Sequence, residues 1–337
     1  MRIGIDAMGG DRAPTVEVNG ALSARSLLDP DERIVLVGDE KKIRKALEGV
    51  NGWSEFIEIH HASQRVGMDE GPVDAIRAKP DSSLLVLTEL HAAGQLDACI
   101  SAGNTGAFVA AATMQLRRLP GVHRPGIAIV VPTLHGPVVV CDVGANITCR
   151  PQHLYQYSIM ASVYAERVTG VSNPRVGVLS VGEEDAKGNM LVKEARSLIK
   201  SDNMLYFVGN VESRDLFRGA CDVLICDGFV GNVVLKLIEG MGEGLLREIL
   251  QNVRAVAGPE EIRAAEKAVL DTKRKYDFND YGGAPLLGVG GTCVICHGAS
   301  DARGIKNAVR QTKSFVKRHV NDRITELLNR NQRIQNG

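Results

Sequence analysis

The polar residues best suited to binding a phosphate group lie together in one short stretch: Ser101, Gly103, Asn104, Thr105 and Gly106. An apolar run precedes them and a run with helical periodicity follows, which predicts a turn between a strand and a helix. Glycine lets the backbone approach a ligand closely, Asn104 or Thr105 can cap the helix, and free N–H groups at a helix start favour an anion. An ordinary capped turn is the alternative, because the Gly-Lys-Ser/Thr ending of a phosphate loop is absent.

The elements that would position this turn alternate between apolar, β-branched runs and amphipathic helical runs. This alternation predicts an α/β fold with a mostly parallel central sheet. Residues 127–131 and 138–142 have no helix between them and predict an antiparallel pair. In open parallel sheets, ligands bind outside the carboxyl ends of the strands, so we expect the loops after the strands to gather at one rim.

At least five predicted strands end in glycine beside an amide, carboxylate, hydroxyl or imidazole side chain. Glycine-rich turns are common in α/β proteins, and that alternative explains the glycines but explains their polar neighbours less well. The candidate site residues outside the central turn are Asp6, Gly9, Gly10, Asp11, Lys79, Asp142, Asn146, Glu183, Glu184, Lys187, Asn210, Asp227, Gly228, Phe229, Asn232 and His297.

Residues 233–275 have a different pattern from the rest of the chain. Apolar residues recur at helical spacing on both sides of Gly258 and Pro259, which predicts a helical hairpin projecting from the sheet. Its tip, with Val256 beside Arg254, is compatible with dimer contact, core packing or weak, reversible membrane contact. We expect residues 1–320 to form one catalytic α/β unit with a cleft, and residues 321–337 to form a frayed tail.

The whole-chain composition narrows the class of protein. The chain has 337 residues, enough for one large or two ordinary domains. Lys and Arg total 40, as do Asp and Glu, so no overall positive field points to nucleic acid. The N-terminus enters a strand at once, and no stretch approaches the ~18 uncharged apolar residues of a membrane span. We expect a cytoplasmic protein, with contact to a membrane surface left open.

The seven cysteines are expected to be reduced and mostly buried. Cys293, Cys296 and His297 have the spacing of c-type haem attachment. Their segment predicts a strand, however, and a strand sends the two sulfurs to opposite faces. A zinc site needs a second close pair of Cys or His residues, and none is evident. We therefore expect no metal site.

Basic residues recur every three or four positions on the last predicted helix of the 1–320 unit. Such a stripe is commonly a solvated face, and the alternative is a docking surface for an acidic protein partner. The stripe consists of Arg303, Lys306, Arg310, Lys313 and Lys317.

Taken together and in order, the loop motifs resemble those of the PlsX-type phosphate acyltransferases. The resemblance covers about residues 1–310, and so many motifs in one order are far more specific than a single glycine-rich loop. The motifs lie at residues 6–11, 101–106, 124–125, 142–146, 182–184, 187–189, 209–212, 227–232, 281–285 and 297–298.

The resemblance implies that the protein transfers a long-chain acyl group from acyl carrier protein to inorganic phosphate. The acyl phosphate then passes to a membrane glycerol-phosphate acyltransferase in phospholipid synthesis. The resemblance also implies a three-layer α/β/α fold similar to isocitrate dehydrogenase and phosphotransacetylase. A homodimer, peripheral association with the membrane, and no metal or organic cofactor are further expectations.

Phosphate is already an anionic nucleophile, so the protein must hold it near the thioester, remove part of its water and stabilise the oxyanion. We assign residues 101–106 to phosphate, and either Lys187 or Lys79 with Arg77 to the countercharge. His297 is the candidate to protonate the leaving thiolate, because the ordinary pKa of histidine lies near neutrality. A histidine packed at a strand end is the alternative.

The remaining loop residues have three hypothetical roles. Side-chain amides suit the oxyanion or the pantetheine amides of the donor: Asn104, Asn146, Asn210 and Asn232. Bare carboxylates would repel phosphate, so the aspartates are expected to hold loops or to orient lysine and histidine: Asp6, Asp11, Asp142 and Asp227. An apolar slot for the acyl chain is expected between the hairpin and the sheet, near Phe229, Val230, Val234 and Leu237.

Two other classes of protein remain as alternatives. A magnesium-dependent, NAD-linked decarboxylating dehydrogenase on a related fold would use the many carboxylates, but residues 288–291 lack the third glycine of a dinucleotide fingerprint. A non-catalytic peripheral membrane adaptor would use the hairpin as its anchor, but it leaves the convergent polar loops unexplained.

Overall fold

The computed structural model describes residues 1–276 and 278–335. The strands are β1 (Arg2–Asp6), β2 (Arg33–Gly38), β3 (Ile57–His61), β4 (Ala98–Ser101), β5 (Gly126–Thr133), β6 (Gly136–Cys141), β7 (Arg175–Ser180), β8 (Tyr206–Glu212), β9 (Val223–Ile225), β10 (Ala284–Leu287) and β11 (Cys293–Ile295). The α-helices are α1 (Thr15–Ser23), α2 (Glu40–Ala46), α3 (Pro72–Ala78), α4 (Ser83–Ala92), α5 (Thr105–Gln115), α6 (Pro151–Tyr164), α7 (Met190–Lys200), α8 (Gly228–Val256), α9 (Pro259–Lys275), α10 (Ala302–Lys317) and α11 (Val320–Gln335).

The strands form one mixed sheet in the order β3-β2-β1-β4-β11-β10-β5-β6-β9-β7-β8. The first five run parallel to one another, and β6, β9, β7 and β8 form a second parallel group. Three successive antiparallel pairings, β11–β10, β10–β5 and β5–β6, separate the groups and reverse the second relative to the first. The mostly parallel mixed sheet and the antiparallel β5–β6 pair confirm the predictions.

The prediction of a single rim is wrong. Because the two parallel groups run in opposite directions, their carboxyl ends lie at opposite ends of the strands. We call the loops after β1, β4 and β11 the first rim (residues 7–14, 102–104 and 296–301). We call the loops after β6, β7 and β9 the second rim (residues 142–150, 181–189 and 226–227). The polar loops therefore form two groups rather than one.

Helices cover both faces of the sheet. One face carries α4, α5 and the early part of α8, where Val234, Leu235 and Ile238 pack on the core. The opposite face carries α1, α2 and α10 over the first group of strands, and α6, α7 and α11 over the second. Strands covered on both sides need apolar residues throughout, which explains their near-continuous Val and Ile content. The predicted three-layer α/β/α architecture is confirmed.

The helical hairpin consists of α8 and α9, with Gly258 at the break where it was expected. Arg254 of α8 and Glu266 of α9 form an ion pair of 2.6 Å between the helices. Val256 at the tip is 89% exposed. The described residues contain no helix that could span a membrane, because none of them is both long enough and apolar enough.

The C-terminal tail is not frayed where the structure describes it, in contrast to the prediction. Residues 320–335 form α11, which packs beside α6. Val320, Ile324 and Leu328 are buried because their spacing of four residues places them on one face of the helix. Residues 336–337 lie outside the described residues.

Candidate functional site

Main-chain hydrogen bonds join the three loops of the first rim. The Asp11 N–H donates to the Gly298 carbonyl at 3.0 Å, and the Cys296 N–H donates to the Ser101 carbonyl at 2.8 Å. The loop after β1, the turn after β4 and the segment carrying His297 are therefore neighbours. The sequence reasoning placed these three motifs at one site, and the strand order β1-β4-β11 places their ends side by side.

Close backbone contact at Gly9 fixes the first rim further. A Cβ atom at Gly9 would lie 2.6 Å from the Gly103 nitrogen. A Cβ atom at Gly10 would lie 2.2 Å from a carboxyl oxygen of Glu17. Only glycine permits these approaches, so the two glycines join the loop after β1 to its neighbours.

Two buried carboxyl groups lie beneath the first rim. Asp6 accepts the Ser101 hydroxyl at 2.8 Å and the Met8 N–H at 3.1 Å. Burial raises the pKa of Asp6, and its hydrogen bonds oppose the rise. Glu17 on α1 accepts the Gly10 N–H at 3.2 Å through Oε1, whereas its buried Oε2 has no hydrogen-bond partner in the described part of the chain. Burial raises the pKa of Glu17 to about 7.

The side chain of Asn104 positions the turn and is not free for a ligand. Its Oδ1 accepts the Ala107 N–H at 3.0 Å and caps α5. Its Nδ2 donates to three carbonyls at 3.1, 3.3 and 3.1 Å, which belong to Gly67, Met68 and Glu70. Asn104 therefore joins the start of α5 to the loop before α3, and the capping prediction is confirmed.

The first turn of α5 keeps two N–H groups available. Thr105 and Gly106 are exposed, and their N–H groups have no acceptor among residues 1–276 and 278–335. The Gly103 N–H, two residues before Thr105, donates to the Ser101 hydroxyl at 3.1 Å and is therefore not available to a ligand. Unpaired N–H groups and the positive end of the helix dipole favour an anion at this position. Phosphate binding here stays a prediction.

Exposed cations at the first rim include Arg12, which donates to the Ser300 carbonyl at 3.2 Å, and Arg65, whereas the predicted Lys79 is paired. The Lys79 Nζ lies 2.5 Å from a Glu70 carboxyl oxygen and donates to the Arg65 carbonyl at 2.8 Å. This pairing lowers the pKa of Glu70 and neutralises the lysine. Arg65 is exposed, donates to the Gly10 carbonyl at 3.3 Å, and opposes the raised pKa of both buried carboxyls.

His297 is exposed at the carboxyl end of β11. Its Nδ1 accepts the Ala299 N–H at 3.2 Å. That bond assigns the proton of the neutral ring to Nε2, which is then a donor. The geometry allows proton transfer at Nε2, and the catalytic role of His297 stays a prediction.

At the second rim, Asp142 holds its own loop, as expected. Its buried carboxylate accepts five N–H bonds of 2.8 to 3.2 Å. The donors are the backbones of Ile127, Gly144, Ala145 and Asn146, and the Asn146 amide. That amide also donates to the Pro125 carbonyl at 2.6 Å and to the Tyr157 hydroxyl at 2.8 Å. The amide nitrogen of Asn146 therefore holds the loop, and a substrate role for this residue stays a prediction.

The start of α8 lies against the Asp142 loop. Asp227 caps the helix by accepting the Phe229 and Val230 N–H groups at 3.0 Å each. The Gly228 N–H donates to the Asn146 carbonyl at 2.8 Å. Asn232 approaches Gly144, and its amide has no hydrogen-bond partner within the described ranges. Of the residues expected to line an acyl slot, Phe229, Val230 and Leu237 are exposed and Val234 packs on the core.

The other part of the second rim follows β7. Glu183, Glu184 and Lys187 are all exposed, and the lysine has no ion-pair partner among the described residues. Asn210 on the neighbouring strand β8 donates to the Glu184 carbonyl at 2.9 Å. Its buried Oδ1 accepts no hydrogen bond in the described part of the chain. Lys187 and Asn232 therefore keep polar atoms that a ligand could use, whereas the unpaired Oδ1 of Asn210 is buried.

The basic stripe on α10 is not one continuous exposed surface. Lys313 is buried and bonds to Glu32 and to the Leu27 carbonyl, so its assignment to a docking surface is wrong. The other residues of the stripe are partly engaged in the same way. Lys317 pairs with Asp29 at 2.8 Å, Arg303 with Asp280 at 3.3 Å, Arg310 donates to Asn307 at 2.7 Å, and Lys306 is half-buried.

The structure thus brings together some of the predicted site residues and separates others. The first rim contains residues 101–106, His297 and the loop after β1. Lys187 lies in the second rim, and Asn232 lies beside that rim, in the second turn of α8. Asn104 does not meet them there. Sequence reasoning missed Arg65 and Glu17, and the only signal for Glu17 was a carboxylate on an otherwise apolar face of α1.

The fold is of the phosphotransacetylase type. A solved phosphotransacetylase from Streptococcus pyogenes superposes with a TM-score of 0.64 and 15% identity over 94% of both chains. A branched-chain phosphotransacylase from Enterococcus faecalis gives a TM-score of 0.59 and 14% identity over 94% of this chain and 100% of its own. Identities this low establish the fold alone.

Sequence comparison defines the family within this fold. The model of the fatty acid synthesis protein family matches residues 1–323. A phosphate acyltransferase from Geobacter sulfurreducens is 47% identical over 97% of this chain and 94% of its own. One from Desulforamulus reducens is 45% identical over 99% of both chains. The chain therefore belongs to the PlsX-type phosphate acyltransferase family and is an acyltransferase.

Proposed function

We propose that the protein transfers a long-chain acyl group from acyl carrier protein to inorganic phosphate, and that the acyl phosphate is used in phospholipid synthesis by a membrane glycerol-phosphate acyltransferase. The observation that carries the proposal is the first rim. Three joined loops present the start of α5 with two available N–H groups, beside the exposed Arg65 and His297.

In this mechanism, phosphate binds against the N–H groups of Thr105 and Gly106, with Arg65 supplying positive charge. A phosphate oxygen attacks the carbonyl carbon of the thioester, and the new C–O bond forms as the carbonyl oxygen gains negative charge. Preorganised N–H donors stabilise that oxyanion. The C–S bond then breaks, which releases acyl phosphate and a thiolate.

The proton balance of the reaction assigns a role to His297. Hydrogen phosphate enters with one hydroxyl proton, and the carrier protein leaves as a neutral thiol. The His297 ring accepts the phosphate hydroxyl proton as the C–O bond forms, and the resulting imidazolium gives its Nε2 proton to the sulfur as the C–S bond breaks, so the ring is neutral before and after the reaction. No oxidant or reductant is required.

The second rim is suited to the donor's extended pantetheine arm. The unpaired amide of Asn232 would hydrogen-bond to the amides of the arm, and the buried, unpaired Oδ1 of Asn210 would join it only if the arm displaces the chain that covers it. Lys187 adds an unpaired cation on the neighbouring loop. This assignment gives these three residues a binding role at a distance from the attacking phosphate.

Hydroxylamine trapping tests the reaction. Purified protein, long-chain acyl carrier protein and phosphate should give an acyl hydroxamate without added metal. Arg65→Met should lower kcat/KM for phosphate by about tenfold, because it removes one charge-assisted contact. Arg44→Met on α2, where the arginine is already paired with Glu40 at 2.7 Å, is the control and should leave the rate unchanged. Phosphate-independent product, or chelator-sensitive NAD reduction instead, contradicts the proposal.

We also propose a homodimer formed through α8. Large exposed apolar side chains recur every four residues and form a stripe that winds slowly around this helix: Val233, Leu237, Met241, Leu245 and Ile249. Leu237→Asp with Leu245→Asp should halve the mass measured by light scattering. Arg247→Asp, on the other side of the helix, should leave the mass unchanged. An unchanged mass in the leucine variant rejects this interface.

The tip of the hairpin is the proposed contact of this cytoplasmic protein with the membrane surface. Val256 is the most exposed large apolar residue of the hairpin, and Arg254, two residues before it, is paired with Glu266. One apolar side chain beside an ion-paired arginine supports only reversible binding. Val256→Asp should reduce sedimentation with anionic vesicles by a few fold while turnover of soluble substrate stays unchanged. Equal sedimentation of the two proteins contradicts this contact.

A further inference from the structure

Four basic side chains gather at the start of α6, beside the second rim. They belong to His123 and Arg124, in the loop before β5, and to Arg150 and His153, at the beginning of the helix. The two histidine rings lie edge to face with their centroids 6.3 Å apart. Neither arginine has an ion-pair partner in the part of the chain that the structure describes. The cluster therefore carries an unbalanced positive charge.

His153 is the buried member of this cluster. It is only 9% exposed, and its Nδ1 accepts the Arg150 N–H at 3.1 Å. That bond assigns the proton of the neutral ring to Nε2, which has no hydrogen-bond partner among the described residues. Burial lowers the pKa of His153, and the charges of His123, Arg124 and Arg150 lower it further. An N–H donor in such surroundings suits an anion.

The loop that carries His123 and Arg124 is fixed from both sides. Gln156 of α6 accepts the His123 N–H at 2.8 Å and donates to the Gly121 carbonyl at 2.7 Å. Asn146 of the second rim donates to the Pro125 carbonyl at 2.6 Å. The basic groups are therefore held against the positive end of the α6 dipole before any ligand arrives. Preorganisation of this kind reduces the cost of binding.

We propose that His123, Arg124, Arg150 and His153 form a binding site for a phosphate group, separate from the acceptor phosphate at the first rim. Arginine forks match phosphate oxygens in pairs, and the exposed arginines leave room for a substituted phosphate. Given the proposed function, the ligand is the phosphodiester of the donor's phosphopantetheine arm. Asn146 connects the cluster to the loop facing Asn232, which is assigned to the amides of the same arm. Free inorganic phosphate has the same chemistry and is the other source.

Binding of small probes to the full-length protein tests the site without turnover. By calorimetry, 4′-phosphopantetheine should bind at least about tenfold more tightly than pantetheine, which lacks the phosphate. In the Arg124→Gln/Arg150→Gln variant the two ligands should bind equally. Arg44→Gln is the control for losing an exposed arginine and should keep the preference. Both site arginines are exposed, so unchanged thermal unfolding should show that the variant folds.

A phosphate preference that persists in the double variant overturns the site. If the variant no longer binds inorganic phosphate but binds 4′-phosphopantetheine as well as the wild type does, the assignment of the site to the donor arm is wrong. In turnover, the variant should raise KM for acyl carrier protein about tenfold and leave the reaction of acyl pantetheine unchanged. An inactive wild-type protein that still prefers 4′-phosphopantetheine contradicts the proposed function but retains the site.

Discussion

The two rims carry similar motifs, yet their polar groups are used differently. At the second rim, Asp142 accepts five N–H bonds, and the amide nitrogen of Asn146 is fully engaged. At the first rim, Asp6 accepts the hydroxyls of Ser83 and Ser101 and one backbone N–H, and an oxygen of Glu17 has no described partner. A carboxylate whose oxygens all accept hydrogen bonds from the protein holds a loop, whereas an oxygen without such a bond can still accept one from a ligand.

Residue type alone does not reveal this difference. Asn104, Asn146 and Asn232 follow strands in the same way, and all three suit a substrate amide by their chemistry. In the structure, two of them hold loops and only Asn232 is available. Hydrogen-bond satisfaction therefore separates supporting residues from binding residues, and the following substitutions test that rule.

The largest effect is expected for Asp142→Ala. This change removes a buried acceptor and leaves its N–H donors unsatisfied, at a cost of about 3–5 kcal/mol in the free energy of unfolding. Denaturant unfolding should show the loss, and activity should fall with the folded fraction. Asp142→Asn keeps one acceptor oxygen and should lose less. A small loss in the alanine variant contradicts the structural role of the second rim.

Glu17→Gln tests the unsatisfied carboxyl of the first rim. The pKa of Glu17 is about 7 in the folded protein against an ordinary 4.5, so the unfolded chain loses its proton first as pH rises. This group therefore lowers stability progressively between pH 4.5 and 7 and by a constant amount above. The free energy of unfolding of the variant should therefore rise relative to that of the wild type by up to about 3 kcal/mol between pH 4.5 and 7. Glu48→Gln, at an exposed site, is the control, and a pH-independent difference contradicts the prediction.

Gly9→Ala tests whether the loops of the first rim must touch. The new Cβ would lie 2.6 Å from the Gly103 nitrogen, so the two loops must separate. A displacement of this size at a positioned substrate lowers kcat/KM by about 100-fold. Gly244→Ala meets no atom within 4 Å and is the matched control. An active Gly9→Ala variant places the chemistry elsewhere.

The sequence predicted the elements better than their directions. The hydrophobic periods located the antiparallel β5–β6 pair and the hairpin, because both depend on local pattern. The predicted single rim failed because β10, with two glycines before it and Pro285 within it, gave no strand signal. With β10 absent, the reversal of the second group of strands could not be deduced.

The candidate site shows the same limit. Glycine-flanked turns identified the loops that meet at the first rim. Whether a charged side chain is available depends on ion pairs between residues that are distant in the sequence. No pattern along the chain reveals those ion pairs. Lys79 is neutralised by Glu70 and Lys313 is buried with Glu32, whereas Arg65, which no motif contains, is exposed at the site.

A smaller effect should distinguish Asn232 from Asn146. The Asn232 amide is unpaired, so Asn232→Ala should lower kcat/KM about tenfold, the value of one hydrogen bond to substrate, with stability unchanged. Asn146→Ala removes bonds to Asp142, Pro125 and Tyr157 and should cost about 2 kcal/mol of stability. Steady-state kinetics and thermal unfolding of both variants provide the comparison. Equal behaviour in both measurements contradicts the division between supporting and binding residues.

The smallest effect is expected on α10, where the same rule predicts which cations can meet the carrier protein. Lys306 has no described ion-pair partner, so Lys306→Gln should raise KM for acyl carrier protein by about twofold to threefold, as expected for one exposed charge pair. Lys317 is already paired with Asp29, so Lys317→Gln should leave KM unchanged and lower stability slightly. Raised salt should remove the difference in the first variant, because exposed charges are screened. A larger KM change at Lys317 than at Lys306 contradicts the assignment, since an internally paired cation would then be the one that binds the partner.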